Sequence, residues 1–272
     1  MRVRSVFLLF LLVLTGWGVL RAQRPFKAYP GQEYADYPLP PDWQRTAEFT
    51  RARLHYPSFL VVHPPARDGY ERWTIDYPPS DRKLLAGIRR LTRIDTRSVE
   101  QVVDLDYQED PTDVYNWPFM YAVEVGYWNL TDAQAAQLRD FLLRGGFFMC
   151  DDFHGSVEWA NFTASMKRVF PDRPIVDLDN KDPIFHVIYD LDDRYQVPGL
   201  QYVYTHSHFE YDGFQAKWRG IYDDKGRLMV AICHNMDLGD AWEHSDNPVY
   251  PEPFAALAYR IAVNYTVYDL TH

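Results

Sequence analysis

The chain has 272 residues, a formal charge of −10 and an aromatic content of 16%. That acidic balance argues against a nucleic-acid binder, which would need a basic face to neutralise phosphates, and equally against adhesion to anionic lipid. The length suits one large α/β domain with a sizeable core.

Residues 1–22 read as a targeting segment. Arg2 and Arg4 precede an almost wholly apolar run from Ser5 to Leu20, and Ala22 in L-R-A-Q offers a cleavage point. Its removal leaves 25 Lys and Arg against 38 Asp and Glu, a net charge of −13. The expected location is periplasmic or extracellular. The alternative is an uncleaved N-terminal membrane anchor, although an apolar run of about 16 residues is short of the ~20 that a span needs. Residues 23–48, rich in proline and tyrosine, read as an extended arm. A single α/β domain is expected over residues 49–272.

A-R-L-H-Y (52–56) is a first strand, and a loop of prolines and charges follows it. The next helix has Ser80 or Asp81 as its cap and Leu84, Leu85, Ile88 and Leu91 at helical spacing. V-V-D-L (102–105) and P-F-M-Y-A-V-E-V (118–125) are further strands. Thr131 and Gln134 make a capping box for a helix with Ala135, Leu138 and Leu142 facing inward, stopped by Gly145-Gly146. F-F-M-C (147–150) is a buried strand. Ser156 is the expected cap of a helix with an apolar stripe of Val157, Trp159, Phe162, Met166 and Val169.

P-I-V-D-L (174–178) and V-I-Y-D-L (187–191) read as strands. The alternation from Gln201 to Tyr222, with Asp212-Gly213 as a turn, reads as a hairpin. R-L-M-V-A-I-C (227–233) is another buried strand, and a long helix from Pro253 closes the chain. Alternating strands and helices call for a mostly parallel sheet with helices on both faces, and the hairpin insertion makes one edge mixed.

Three strand ends carry polar clusters: Glu124; Asp151, Asp152, His154 and Glu158; and His234, Asn235, Asp237, Asp240, Trp242 and His244, with Glu243 among them. Parallel strands put these ends on one edge of the sheet, where open α/β sheets bind ligands. Asp151, Asp152, His154, Glu158 and His234 are the candidates for acid–base work. Glu124, Asn235, Asp237, Asp240, Trp242 and His244 are the candidates for holding a ligand. The same donors suit a divalent metal, but their spacing matches no ligand template, so the cofactor stays open. For each residue the competing reading is a helix cap or a loop hydrogen bond.

His206 and His208 share a face of a predicted strand, and a solvated face is favoured over a metal pair. His186 reads as packed. Cys150 and Cys233 end two apolar runs and form either a disulfide between neighbouring strands or two buried small hydrophobes. Cys150 is followed by two aspartates, which suppress thiolate formation, and no nucleophile elbow or phosphate loop is present.

The motifs L-L-R-G-G-F-F-M-C-D-D-F-H-G, V-F-P-D-R-P-I-V, Q-V-P-G-L, R-G-I-Y-D-D and A-I-C-H-N-M-D-L-G-D-A-W-E-H together resemble the bacterial domain of unknown function family 4159, from about Phe49 to His272. That family's name implies no established activity. A fainter resemblance is to the class I glutamine-amidotransferase-like superfamily, in its trehalose-utilisation-like branch. It rests on the Gly-Gly helix end, Lys181-Asp182-Pro183-Ile184 and Cys233-His234-Asn235, and it implies a flavodoxin-like sheet. The cysteine elbow is missing, so glutaminase activity does not carry over. Two functions are expected in competition. One is an exported protein that binds, and can hydrolyse, a small polar ligand such as a carbohydrate. The other is a non-catalytic module that docks a cell-envelope protein.

Overall fold

The computed structural model describes residues 24–31, 33–58 and 71–272. The targeting segment and most of the proline-and-charge loop after the first strand lie outside the described residues. Seven strands form one sheet: β1 (Ala52–His55), β2 (Gln101–Asp104), β3 (Phe119–Ala122), β4 (Phe147–Cys150), β5 (Val176–Asp177), β6 (Lys217–Tyr222) and β7 (Leu228–His234). Their order is β2-β1-β3-β4-β7-β6-β5. The first five in that order run parallel, whereas β6 pairs antiparallel with β7 and with β5. The parallel part has the flavodoxin-like order, which reverses between β1 and β3 and leaves a crevice at their C-terminal ends.

Among the described residues, five helices longer than one turn cover the sheet: α1 (Pro79–Leu91), α2 (Asp132–Leu143), α3 (Gly155–Val169), α4 (Leu238–Glu243) and α5 (Glu252–Thr271). Helices α1, α4 and α5 bury Leu84, Leu85, Ile88, Leu238, Leu257 and Ile261 on one face, against Phe119, Phe147 and Met149. Helices α2 and α3 bury Leu138, Leu142, Phe162 and Met166 on the other, against Met120, Phe148 and Ile232. Strand side chains alternate between the two cores, as the period of two requires. Among the described residues no helix is long and apolar enough to cross a membrane.

The capping box of α2 is formed in full, with Gln134 N–H donating to Thr131 Oγ1 and Thr131 N–H to Gln134 Oε1. Several expectations need correction. Neither Ser80 nor Asp81 caps α1, which starts at Pro79. Asp81 lies inside the helix and pairs with two buried arginines from the strand below. Ser156 does not cap α3; its N–H donates to Asp212 Oδ1 at 2.8 Å, and His154 holds the N-cap position. Leu91 and Val157 face solvent.

Residues 187–191 are not a strand. Asn264 of α5 takes their backbone, accepting from Ile188 and Tyr189 N–H and donating to Tyr189 O, so no ladder partner is needed. Asp212-Gly213 is not a hairpin turn either. The antiparallel hairpin is β6–β7, closed around Asp223-Gly226. His206 and His208 therefore do not share a strand; His206 ends a one-turn helix (Tyr202–Thr205) with φ 57°. His186 is only half-buried and bonds Asp190 and the Asn180 carbonyl.

The two cysteines are free and buried. Strands β4 and β7 are neighbours, but Cys150 is in register with Ile232. Cys233 therefore points to the opposite face, and the two thiols sit in different cores. A disulfide is excluded by the pleat.

The arm packs along the β2 side. Tyr29 bonds His55 and Asp104, and Arg82 donates to the Tyr37 carbonyl at 2.8 Å.

Candidate functional site

Hydrogen bonds knit the C-terminal ends of β3, β4 and β7 together. Asp151 N–H donates to Ala122 O, Glu124 N–H to Asp152 O, Asp152 N–H to Met236 O and Asn235 N–H to Phe153 O. The loops after β4 and β7 thus converge. Asp76 at the entrance to α1, Glu124, Asp152 and Asn235 all have left-handed backbones, with φ of 59°, 51°, 50° and 65°. Each is uncommon for a residue with a Cβ, and strain of this sort collects at functional sites.

Several predicted site residues are occupied by the fold. Asp151 Oδ2 accepts from Leu238 and Gly239 N–H at 2.7 and 3.2 Å, so this carboxylate caps α4. Glu158 accepts from Tyr127 OH at 2.7 Å and from His154 N–H at 2.6 Å, closing the first turn of α3. Asn235 accepts from Gly155 N–H and donates to Gln215 O. His234 is sandwiched between Phe153 and Trp159, both 4.8 Å away. Its Nε2 donates to Gly155 O at 3.1 Å while its Nδ1 accepts from Arg219. Burial holds that imidazole down at about 4, so it is neutral. Trp242 is fully buried beneath the site, against Tyr121 and the Arg51 guanidinium.

What remains is an electrostatic pit, a cluster of buried carboxyls at the strand ends. Asp152 is 7% exposed, and its Oδ1 lies 3.3 Å from His154 Nε2. Glu210 reaches the same nitrogen at 3.9 Å. His154 Nδ1 is buried without a partner. Glu124 pairs with Arg72 at 3.1 Å. Toward α1 the pit continues through Asp237, whose Oδ1 accepts from Asp240 N–H, and Asp240, whose Oδ2 accepts from Leu200 N–H. His244 Nε2 stands 3.5 Å from Asp240 Oδ1, with Glu243 beside it.

Crowding sets the electrostatics. Burial pushes the Asp152 carboxyl well above its usual range, and Glu210, Asp151 and Asp240 push it further. Burial does the same to Asp237, reinforced by Asp152, Asp240 and Asp76, and to Asp76, reinforced by Asp240, Glu243 and Asp152. Glu124 rises through burial and Asp152 while Arg72 pulls the other way. Glu243 is pushed up to about 8 by burial, Glu33 and Asp240. Asp240 is the exception: burial would raise it, but bonds from His244 and the Leu200 amide hold it low. Like charges this close cannot all ionise, so the pit holds neutral carboxyls beside carboxylates.

Sequence reasoning missed Asp76, Arg72 and Glu210, and the pair Arg51 and Arg53 below the pit. Both of those arginines donate to Asp81, at 2.8 and 2.6 Å, and all three side chains are at most 1% exposed. The alternation T-R-A-R-L was the available signal, since a period of two sets both cations on one sheet face. Asp76, inside W-T-I-D-Y-P-P, carries no periodic mark.

The fold and the pit define an α/β protein with an open, mostly parallel sheet whose buried acids gather at the strand ends. The chain belongs to the family described as Domain of unknown function (DUF4159), whose family model matches residues 59–270. No match was found among curated proteins.

Proposed function

We propose that the protein is exported and that its acidic pit binds a small hydroxyl-rich ligand, carbohydrate-like in chemistry, and hydrolyses it. The observation that carries this reading is Asp152. Its carboxyl sits on a left-handed backbone at the end of β4, almost wholly buried, with the His154 imidazole beside it. A carboxyl that burial and neighbouring acids push toward its protonated form suits the role of general acid, and the neighbouring imidazole suits that of base or relay. Glu124, Glu210 and Asp237 supply acceptors for ligand hydroxyls. Phe209 and Phe214, with ring centroids 4.7 Å apart, and Tyr211 are exposed near Glu210 and offer apolar faces of the kind sugar rings stack on.

The competing reading, a non-catalytic module docking a cell-envelope protein, draws on the tyrosine-rich arm. Its support is weaker because Tyr29 and Tyr34 pack on Trp73 and Tyr77 of the same chain.

The test is titration of the purified protein with a panel of neutral and acidic oligosaccharides, with product release followed in parallel. Saturable binding is expected, with turnover falling about 10²–10⁴-fold in Asp152→Asn, the usual weight of a general acid. No binding across the panel, or turnover unchanged in the variant, would contradict the hydrolytic reading.

A further inference from the structure

One oxygen each from Asp76, Asp237 and Asp240 lies within 4.8 Å of the other two. These residues come from three separate places: the entrance to α1, the N-cap of α4 and the first turn of α4. Two of the carboxylates are held by the backbone, since Asp240 N–H donates to Asp237 Oδ1 at 2.8 Å and Leu200 N–H to Asp240 Oδ2 at 2.6 Å. The third is not. Asp76 is 94% buried, and its Oδ2 is buried with no hydrogen-bond partner. An orphaned carboxylate oxygen at that depth costs heavily unless something positive reaches it.

The backbone makes room for the cluster. A Cβ on Gly239 would overlap Asp76 Oδ2, and one on Gly199 would overlap Asp237 Oδ2 and collide with Asp240 Oδ2. The Gln201 side-chain oxygen approaches the same point of Gly199. Two glycines thus flank a group of oxygens, three of them from carboxylates and one from an amide. His244 stands 3.5 Å from Asp240 Oδ1 on the outer side of the group, and the guanidiniums of Arg53 and Arg72 are paired with Asp81 and Glu124.

We propose that Asp76, Asp237 and Asp240, with Gln201 Oε1 beside them, form a binding site for one hard divalent cation, Ca²⁺ in preference to Mg²⁺ or Zn²⁺. An all-oxygen set selects hard cations over those that prefer nitrogen or sulfur. Ca²⁺ accepts roughly six to eight oxygens in flexible geometry, which suits donors drawn from separate places in the chain. Mg²⁺ demands near-ideal octahedral geometry and dehydrates reluctantly, so it is served less well by carboxylates that backbone N–H groups already hold. A second acidic group, Asp240, Glu243 and His244, shares Asp240 and is half-buried; its imidazole would suit Zn²⁺ instead. The cation site stands whether or not the pit turns over a ligand, because its occupancy is read directly.

The experiment is calorimetric titration of CaCl₂ into EDTA-treated, dialysed protein, with thermal unfolding of the same samples. One equivalent of Ca²⁺ is expected to bind and to raise the melting temperature. Mg²⁺ should bind at least tenfold more weakly. Asp76→Asn should weaken Ca²⁺ binding at least tenfold, yet the metal-free variant should melt at or above the metal-free wild type, because a buried repulsion has been removed. His244→Ala should leave Ca²⁺ binding within about twofold. Absence of Ca²⁺ binding at millimolar concentration would overturn the proposal. So would a metal-free Asp76→Asn that melts well below wild type, or Ca²⁺ binding lost in His244→Ala but kept in Asp76→Asn.

Discussion

His234 illustrates how a polar residue at a strand end is decided by its neighbours. Its position after β7 suits a catalytic base, but Phe153, Trp159, Gly155 O and Arg219 use up both ring faces and both nitrogens. A second proton would remove the acceptor that Arg219 uses and set one cation against another. Its pKa falls from 6.5 to about 4, so below 6.5 the unfolded chain takes a proton that the folded chain refuses. The stabilising contribution is therefore complete above pH 6.5 and lost as pH falls toward 4, worth roughly 3 kcal/mol at full size. Acids such as Asp151, raised to about 6 by burial, act in the opposite direction, so the difference between variants is the informative quantity. Denaturant titrations at several pH values should show the stability gap between wild type and His234→Gln closing between pH 7 and 4. A gap independent of pH would show that His234 titrates normally.

At the scale of elements, α1 is tied to β1 by Asp81, which accepts from Arg51 just before the strand and from Arg53 within it, all three side chains being buried. Burial alone would raise the Asp81 carboxyl, and the two guanidiniums overcome that and hold it below its usual range. Such an arrangement is hard to break, because removing one partner leaves uncompensated charge. Asp81→Ala should cost at least about 3–5 kcal/mol by the precedent of single-partner removal from buried pairs. Asp81→Asn should cost less, since it keeps the hydrogen-bonding shape. Equal and small losses in both, measured by urea unfolding, would mean that the arginines find other partners.

Elements whose chemistry is local were legible in the sequence: the capping box of α2, the apolar runs of β4 and β7, and the long buried face of α5. Those governed by distant residues were not. V-I-Y-D-L looks like a strand until Asn264, about 75 residues later, satisfies its backbone. Asp212-Gly213 looks like a hairpin turn until Asp212 is seen bound to the start of α3. The site follows the same division. Asp151, Asp152, His154 and Asp237 were visible because strand ends in a parallel sheet must share an edge. Asp76 was not, because only the fold brings the entrance of α1 beside α4.

On the scale of the whole molecule, the acids are distributed unequally. Many carboxylates outside the pit pair with bases, as Asp172 does with Arg139 and Asp223 with Arg227. Inside it, Asp76, Asp152 and Asp237 are each raised by burial and then by neighbouring carboxylates, Asp240 among them in every case. Stability alone would not select such a cluster, and four left-handed residues add to its cost. Sites for ligands and ions commonly carry this kind of strain, and relieving it commonly stabilises the fold while removing the function.

That trade is the central claim, and thermal unfolding of Asp152→Asn beside wild type, both in EDTA at pH 7.5, tests it most directly. Asparagine keeps the shape and tolerates the left-handed backbone at this position. The account predicts a melting temperature raised by about 2–4 °C, the shift that roughly 1 kcal/mol gives in a domain of this size. A fall of that size or more would mean that the Asp152 carboxylate supports the fold, and the acidic pit would then be a structural network instead of a site.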